Sequence, residues 1–366
     1  MVLYWQTKHM IAQNYKMMNK MKALICLKPG HFNSIKKQRP VLKKGQAIIK
    51  IKRIGICGTD IHAFEGNQPF LTYPRILGHE VSGILVQADG ANGFIGGESV
   101  TIIPYFNCGT CIACRNGKPN CCIQVKVCGV HMDGGMVEYL SIPSASLVHG
   151  EGLTFDELAL VEPLAIAAHA VQRANIDRDE FVLVIGAGPI GLGAIEFSRI
   201  SGGQVIALDI DENRLKFCKE KLNVAHTINA FTDNITEKLL EITNGDMPTV
   251  VFDATGNLKA ITKGFDYIAH GGKYILIGIQ KEEISFSHPE FHKREITLMS
   301  SRNATRQDFE YVIKCLKKKK IKPTNYITHR LLFDEVANEF KNWLLPENRV
   351  IKAMIELPYS IPLNLV

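Results

Sequence analysis

Residues 181–193 read FVLVIGAGPIGLG, a short apolar run rich in β-branched residues followed by glycines at Gly186, Gly188 and Gly191. The run has the length and composition of a buried strand, and the G-x-G-x-x-G spacing marks a turn from it into a helix. The first glycine permits the tight turn, the second lets the backbone approach a pyrophosphate, and the third lets helix and strand pack closely. Pro189 and Ile190 open that helix, whose free N–H groups and positive dipole end suit phosphate oxygens. A second strand, Gln204–Leu208, runs into Asp209, eighteen residues beyond Gly191. An acid there takes both ribose hydroxyls of an adenosine and repels a 2′-phosphate. With Arg214 as a further contact, the stretch predicts NAD rather than NADP.

Beyond Asp209 the alternation continues, with strands at Val250–Asp253, Lys273–Ile277 and Ile296–Met299 and helices such as Glu212–Leu222 between them. Alternation of this kind implies a parallel sheet covered on both faces. The sequence before it has another texture. From Met21 to about Gly150 short β-branched runs, among them Gln46–Lys52, Val81–Gln87 and Ser99–Ile103, are split by Gly, Pro and Asn. A helical run, Thr154 to Ala174, joins the two regions, and a basic helix and a strand-helix-strand tail follow Asn303. The expected fold is α/β: a mostly β catalytic domain, 21–171 and 303–366, with a doubly wound Rossmann domain, 172–302, inserted in it.

The 366 residues carry a net charge of +7, with 46% hydrophobic and 22% charged. That mix belongs to a folded chain of about two domains and excludes disorder and collagen-like repetition. The run Lys317–Lys320 reads as a solvated helix face, and the mild excess favours small anions rather than nucleic acid. No apolar stretch reaches the ~20 residues of a membrane helix, so no membrane is expected. Residues 1–20 lack the apolar core and cleavage pattern of a secretory signal. They read as an extension, poorly ordered or ahead of a true start at Met21, and the expected location is the cytoplasm.

Cys108, Cys111, Cys114 and Cys122 stand as C-x2-C-x2-C-x7-C. In a chain without an export signal this spacing reads as a closed tetrahedral zinc site that folds a loop lacking its own core. Cys121 adjoins the last ligand, and a neighbour in sequence usually points the other way. A second set is incomplete. Cys57 lies in GICGTDIH, His79 and Glu80 in GHE, and Glu162 in VEPL. One thiolate, one imidazole and one or two carboxylates make an open zinc site with room for substrate. Taken singly, each of these residues is more often structural; together, beside a cysteine lobe and a dinucleotide fingerprint, they are harder to explain that way.

GICGTDIH, GHE, the cysteine lobe, VEPLAIAAHA, GAGPIGLG and LDIDENR together resemble the zinc-containing medium-chain alcohol and polyol dehydrogenases, over about Met21 to Glu356. The resemblance implies a GroES-like catalytic domain, two zinc ions per chain, NAD, and a homo-oligomer, dimer or tetramer. Glu before Pro163-Leu164 matches the sorbitol-dehydrogenase branch, with either Glu80 or Glu162 as the carboxylate ligand. It also implies that Thr59 accepts the hydroxyl proton and passes it through the cofactor ribose to His62. GNQPF, GVHMDGG, PEFHK and SRNAT resemble the sugar-acid 5-dehydrogenases, which implies L-galactonate as the first expected substrate and L-gulonate as the second. Phe64, Asn67, Gln68 and Arg302 are the substrate candidates, Arg302 for a carboxylate, with Lys126 and His131 behind it. The alternatives are a zinc dehydrogenase of a polyol or of L-threonine and, remotely, a zinc-bearing binding protein without catalysis.

Overall fold

The computed structural model describes residues 19–90 and 93–358, so the expectation for the N-terminal extension falls almost wholly outside the described residues. The chain forms two compact units: Met1–Cys108 with Gln124–Glu162 and Ile327–Val366, and Gly109–Ile123 with Pro163–Tyr326. These limits differ from those drawn on the sequence. The join falls between Glu162 and Pro163, near the start of the helix Val161–Ala174, rather than at 171, and the helix Arg306–Lys317 falls in the second unit.

In the first unit the strand Gln46–Gly55 is the axis of a seven-stranded sheet. It pairs antiparallel with Glu80–Ala88, Tyr139–Pro143 and Lys352–Glu356. Its apolar residues alternate with Lys50 and Lys52, as in an antiparallel strand with one face on the core, and Ile49, Ile51 and Ile54 join Val81, Leu85, Val100 and Ile355 there. The register sets Gly55 directly opposite Glu80 and next to Met354, which brings three distant parts of the chain to one point. Residues Thr154 to Ala174 form two helices, Phe155–Ala159 and Val161–Ala174, rather than one. Proline has no N–H and fits only a first helical turn, so Pro163 requires a fresh start.

The second unit holds a six-stranded parallel sheet in the order His226–Asn229, Gln204–Asp209, Phe181–Ile185, Val250–Asp253, Lys273–Leu276, Thr297–Ser300. Numbered along the chain this is 3-2-1-4-5-6, and the order reverses beside Phe181–Ile185, where a crevice for a dinucleotide opens at the carboxyl ends of the strands. Gly186 has φ +96°, and a side chain at Gly191 would collide with the Gly186 carbonyl oxygen, so those two fingerprint glycines are sterically required, whereas a Cβ at Gly188 would meet only the Arg214 guanidinium at 4.0 Å.

The helix Pro189–Ile200 also carries Glu196, whose Oε2 is buried without a hydrogen-bond partner. Burial pushes its carboxyl up to about 7 from 4.5. Between those values the folded chain keeps a proton that the unfolded chain has released, so stability falls as pH rises through that window and stays lower above it. The full effect is about 3 kcal/mol at most. Glu196→Gln should therefore raise the melting temperature at pH 8 but not at pH 4.5. Thermal melts of both proteins at the two pH values check this, and an equal change at both would disprove it.

Candidate active site

The first unit collects the incomplete metal set. Cys57 caps the helix Gly58–Glu65, while His79 and Glu80 lie where the chain enters the strand Glu80–Ala88. One ligand atom from each of Cys57, His79 and Glu80 lies within 4.8 Å of the others. Asp60, 1% exposed, ties the two segments together: its Oδ2 accepts from Cys57 N and its Oδ1 from Gly78 N, each at 3.0 Å. A side chain at Gly55 would strike the Glu80 carboxylate, so glycine is what leaves space for an acid in the opposite strand.

Glu80 is fully buried and pairs with Lys352, itself 2% exposed. The Lys352 ammonium also donates to the Ile56 carbonyl at 2.9 Å. Burial alone would lower the lysine's pKa, but the facing charges of Glu80 and Cys57 hold it above its ordinary value. Glu162 lies outside the 4.8 Å group. Its Oε1 accepts from the buried Tyr105 hydroxyl, and its Oε2 is buried without a hydrogen-bond partner. Burial, with the Glu80 charge added, pushes its carboxyl up to about 7.

His79 Nδ1 is likewise buried without a hydrogen-bond partner. Burial opposes its protonation, yet the charges of Asp60, Cys57 and Glu162 hold its pKa well above the usual value. Buried donors and acceptors are almost always satisfied. A thiol, an imidazole and two carboxylates with orphaned atoms and an excess of negative charge fit a divalent cation of zinc's preferences. The donor set is therefore suited to the metal expected from the sequence.

The sulfurs of Cys108, Cys111, Cys114 and Cys122 also lie within 4.8 Å of one another, with Cys111 and Cys114 3.5 Å apart. Cys121 is exposed, as a residue pointing away from the cluster should be. None of the four cysteines is in a disulfide. Four thiols and no further open donor suit a closed structural site.

On the cofactor side, Gly188 caps the helix Pro189–Ile200 in extended geometry, with Pro189 in its first turn. Asp209, 7% exposed, accepts from Ala187 N at 2.6 Å and from Asp211 N at 2.9 Å, so it also braces the glycine loop. Arg214 approaches Asp209 to 3.9 Å. Thr59 is half-buried in the first turn of its helix, and His62, one turn on, is exposed. Among the substrate candidates, Asn67, Arg302, Lys126 and His131 are exposed and Gln68 is partly so. Phe64 is not available: it is 8% exposed and packs against Phe32 and Phe340 at 5.2 and 4.9 Å between ring centroids. Its place on the inner face of a short amphipathic helix makes it core, which corrects its reading as a substrate contact. Asp60, Tyr105 and Lys352 carry no role in the sequence reading. Asp60 had a signal, since it stands at the third helical position after Cys57, where a capping acid reaches back to the cap.

Residues 43–151 match the alcohol dehydrogenase GroES-like domain family, and residues 189–318 match the zinc-binding dehydrogenase family. The chain belongs to the zinc-dependent alcohol dehydrogenases and is an oxidoreductase. Among its relatives, the L-galactonate-5-dehydrogenase of Escherichia coli K12 is 41% identical, with 92% of this chain and 99% of that protein covered. The sorbitol dehydrogenase of Halalkalibacterium halodurans is 35% identical over 86% of this chain and 94% of its own. Of solved structures, the rspB alcohol dehydrogenase of Escherichia coli CFT073, complexed with NADH, superposes with a TM-score of 0.86 at 30% identity, covering 92% and 99% of the two chains.

Proposed function

We propose that the protein oxidises the C5 hydroxyl of a hexonate with NAD, L-galactonate giving D-tagaturonate, and that Cys57, His79 and one of Glu80 and Glu162 hold the catalytic zinc. The observation that carries the catalytic reading is the convergence of half-buried Cys57 with buried His79 and Glu80, the latter two with orphaned donor atoms. Each carboxylate keeps one oxygen without a hydrogen-bond partner, and the choice favours Glu162 because the Glu80 charge is already balanced by the Lys352 ammonium. Zinc at this place supplies a Lewis acid that eases loss of the substrate's hydroxyl proton near neutrality. NAD, where bound, would supply the acceptor for the hydride that leaves the substrate carbon with its bonding pair.

The chain's own residues orient these parts and move the proton. Thr59 accepts the hydroxyl proton, and His62, exposed one helical turn further on, releases it to solvent. The turn Gly186–Gly191 cradles the pyrophosphate, with backbone N–H groups offered by Gly188, Ile190 and Gly191, while Gly186 makes the tight turn and Pro189, which has no N–H, sets the first helical turn. Asp209 retains lone pairs for the two ribose hydroxyls beyond the two it gives to the backbone, and its charge disfavours a 2′-phosphate. Cys108, Cys111, Cys114 and Cys122 hold the structural zinc.

The substrate assignment is supported by the likeness to L-galactonate-5-dehydrogenase, and Arg302, whose side chain is exposed, is proposed as the partner of the substrate carboxylate. A neutral polyol is the second reading, favoured by the likeness to sorbitol dehydrogenase. A lost charge-assisted hydrogen bond costs about 1.5–3 kcal/mol, so sorbitol or xylitol should be roughly 10–150-fold poorer in kcat/KM. NADH absorbance with L-galactonate, L-gulonate, sorbitol and xylitol decides it, and equal turnover of polyols and hexonates defeats the sugar-acid reading. A homo-oligomer is supported by the edge strand Thr297–Ser300, which leaves Leu298 38% exposed and its outer backbone open to a second copy. Among the described residues no helix is long and apolar enough to cross a membrane.

A further inference from the structure

We propose that Asn120 is a positioning residue for Arg302, gripping the turn that carries the guanidinium through a buried relay of Asn120, His169 and Asp308. The proposal rests on the reading of Arg302 as the partner of the substrate carboxylate. Asn120 lies in the short turn Pro119–Cys121 of the cysteine lobe and is 4% exposed. Its Nδ2 donates to the Arg302 carbonyl at 3.0 Å and lies 3.2 Å from His169 Nε2. Asn303 Nδ2 in turn donates to the Asn120 carbonyl at 3.2 Å. The Arg302 carbonyl fixes the orientation of the amide, because the reverse orientation would set oxygen against oxygen.

His169 comes from the helix Val161–Ala174, and its Nδ1 lies 2.9 Å from Asp308 Oδ2. The proton therefore sits on Nδ1, pointing at the carboxylate, and Nε2 accepts the second N–H of Asn120. Burial pushes the Asp308 carboxyl up, but the hydrogen bonds from His169 and Thr305 outweigh it and hold the group below its usual range. Asp308 Oδ2 also accepts from Thr305 N at 2.7 Å and Thr305 Oγ1 at 2.6 Å, which caps the helix Arg306–Lys317.

Asn303 adopts a left-handed φ of 53°, so the chain reverses immediately after Arg302. The relay thus holds the turn by the Arg302 carbonyl and the Asn303 side chain and draws nothing from the guanidinium, which is exposed. A buried network with each donor facing an acceptor has one arrangement, and it fixes the main chain that carries it. Preorganisation of this kind acts on substrate binding rather than on the chemical step.

Steady-state kinetics of the zinc-loaded enzyme with the preferred hexonate test it, using R302A, N120A and the double variant. R302A should raise KM about tenfold or more. N120A should raise KM several-fold with kcat within twofold, and should add nothing in the R302A background. An R302A protein with unchanged KM removes the reading of Arg302 and the inference with it. An effective R302A combined with a silent or fully additive N120A, or with an N120A that lowers kcat alone, overturns the inference and leaves Arg302 in place. N303G is the second variant, since glycine keeps the left-handed φ while losing the bond to Asn120. A KM rise confined to binding supports the proposal, and an unchanged KM defeats it whether or not N120A folds.

Discussion

Cys57→Ser should yield a folded protein that binds one zinc in place of two and has lost at least about 10³-fold in kcat, because a Lewis acid contributes several kcal/mol to the barrier. Serine is a poor donor for zinc beside imidazole and carboxylate, and the remaining set of His79, Glu80 and Glu162 has no thiolate to anchor it. The fold should survive because Cys57 is a half-exposed cap and the segment is already tied by Asp60 to the backbone of Cys57 and Gly78. Cys111→Ser should behave in the opposite way. The loop 108–122 has few buried apolar side chains, so losing its metal should lower solubility and melting temperature before it touches the chemistry. Metal analysis beside NADH absorbance separates the two, and a fully active enzyme with a single zinc would refute the two-zinc reading.

Lys352→Met should be the most destabilising single change in the first unit when the protein is stripped of metal. The substitution conserves volume but leaves the Glu80 carboxylate, 0% exposed, without the ammonium that faces it. Breaking a buried pair by removing one partner costs about 3–5 kcal/mol. For a domain of this size that corresponds to a fall of roughly 6 °C or more in melting temperature. A bound cation replaces part of the lost positive charge, so zinc should recover much of the loss. Melting curves of Lys352→Met and the unaltered protein, each with and without chelator, test both halves. A metal-free variant that melts within 2 °C of the unaltered protein would show that the pair does not matter.

The legible parts of this chain were the local ones. A strand followed by G-x-G-x-x-G is a contiguous signal, and Phe181–Ile185 and the helix opening at Pro189 lie where those residues place them. The cysteine spacing is equally local, and its four sulfurs converge. Phe64 misled because a short helix beside a ligand-bearing turn has one face toward the site and one toward the core, and eight residues carry too little periodicity to tell them apart. Tyr105 and Lys352 gave no signal. Each is an ordinary residue until a partner 57 or 272 positions away arrives beside it.

The sequence by itself determined the two fold classes, the dinucleotide loop, both groups of metal-binding residue types and the acid at Asp209, because each is written within a single strand, turn or helix start. The tertiary structure decided which of those groups meet, and on what terms. The register of Gln46–Gly55 against Glu80–Ala88 and Lys352–Glu356 buries Glu80 against Lys352 and turns a carboxylate that looked like a free ligand into half of an ion pair. The approach of Tyr105 leaves Glu162 with one oxygen held and the other without a partner. Such facts depend on the desolvation and pairing of charges carried by segments far apart in the chain. Strand register sets both, and no local pattern of residues encodes it.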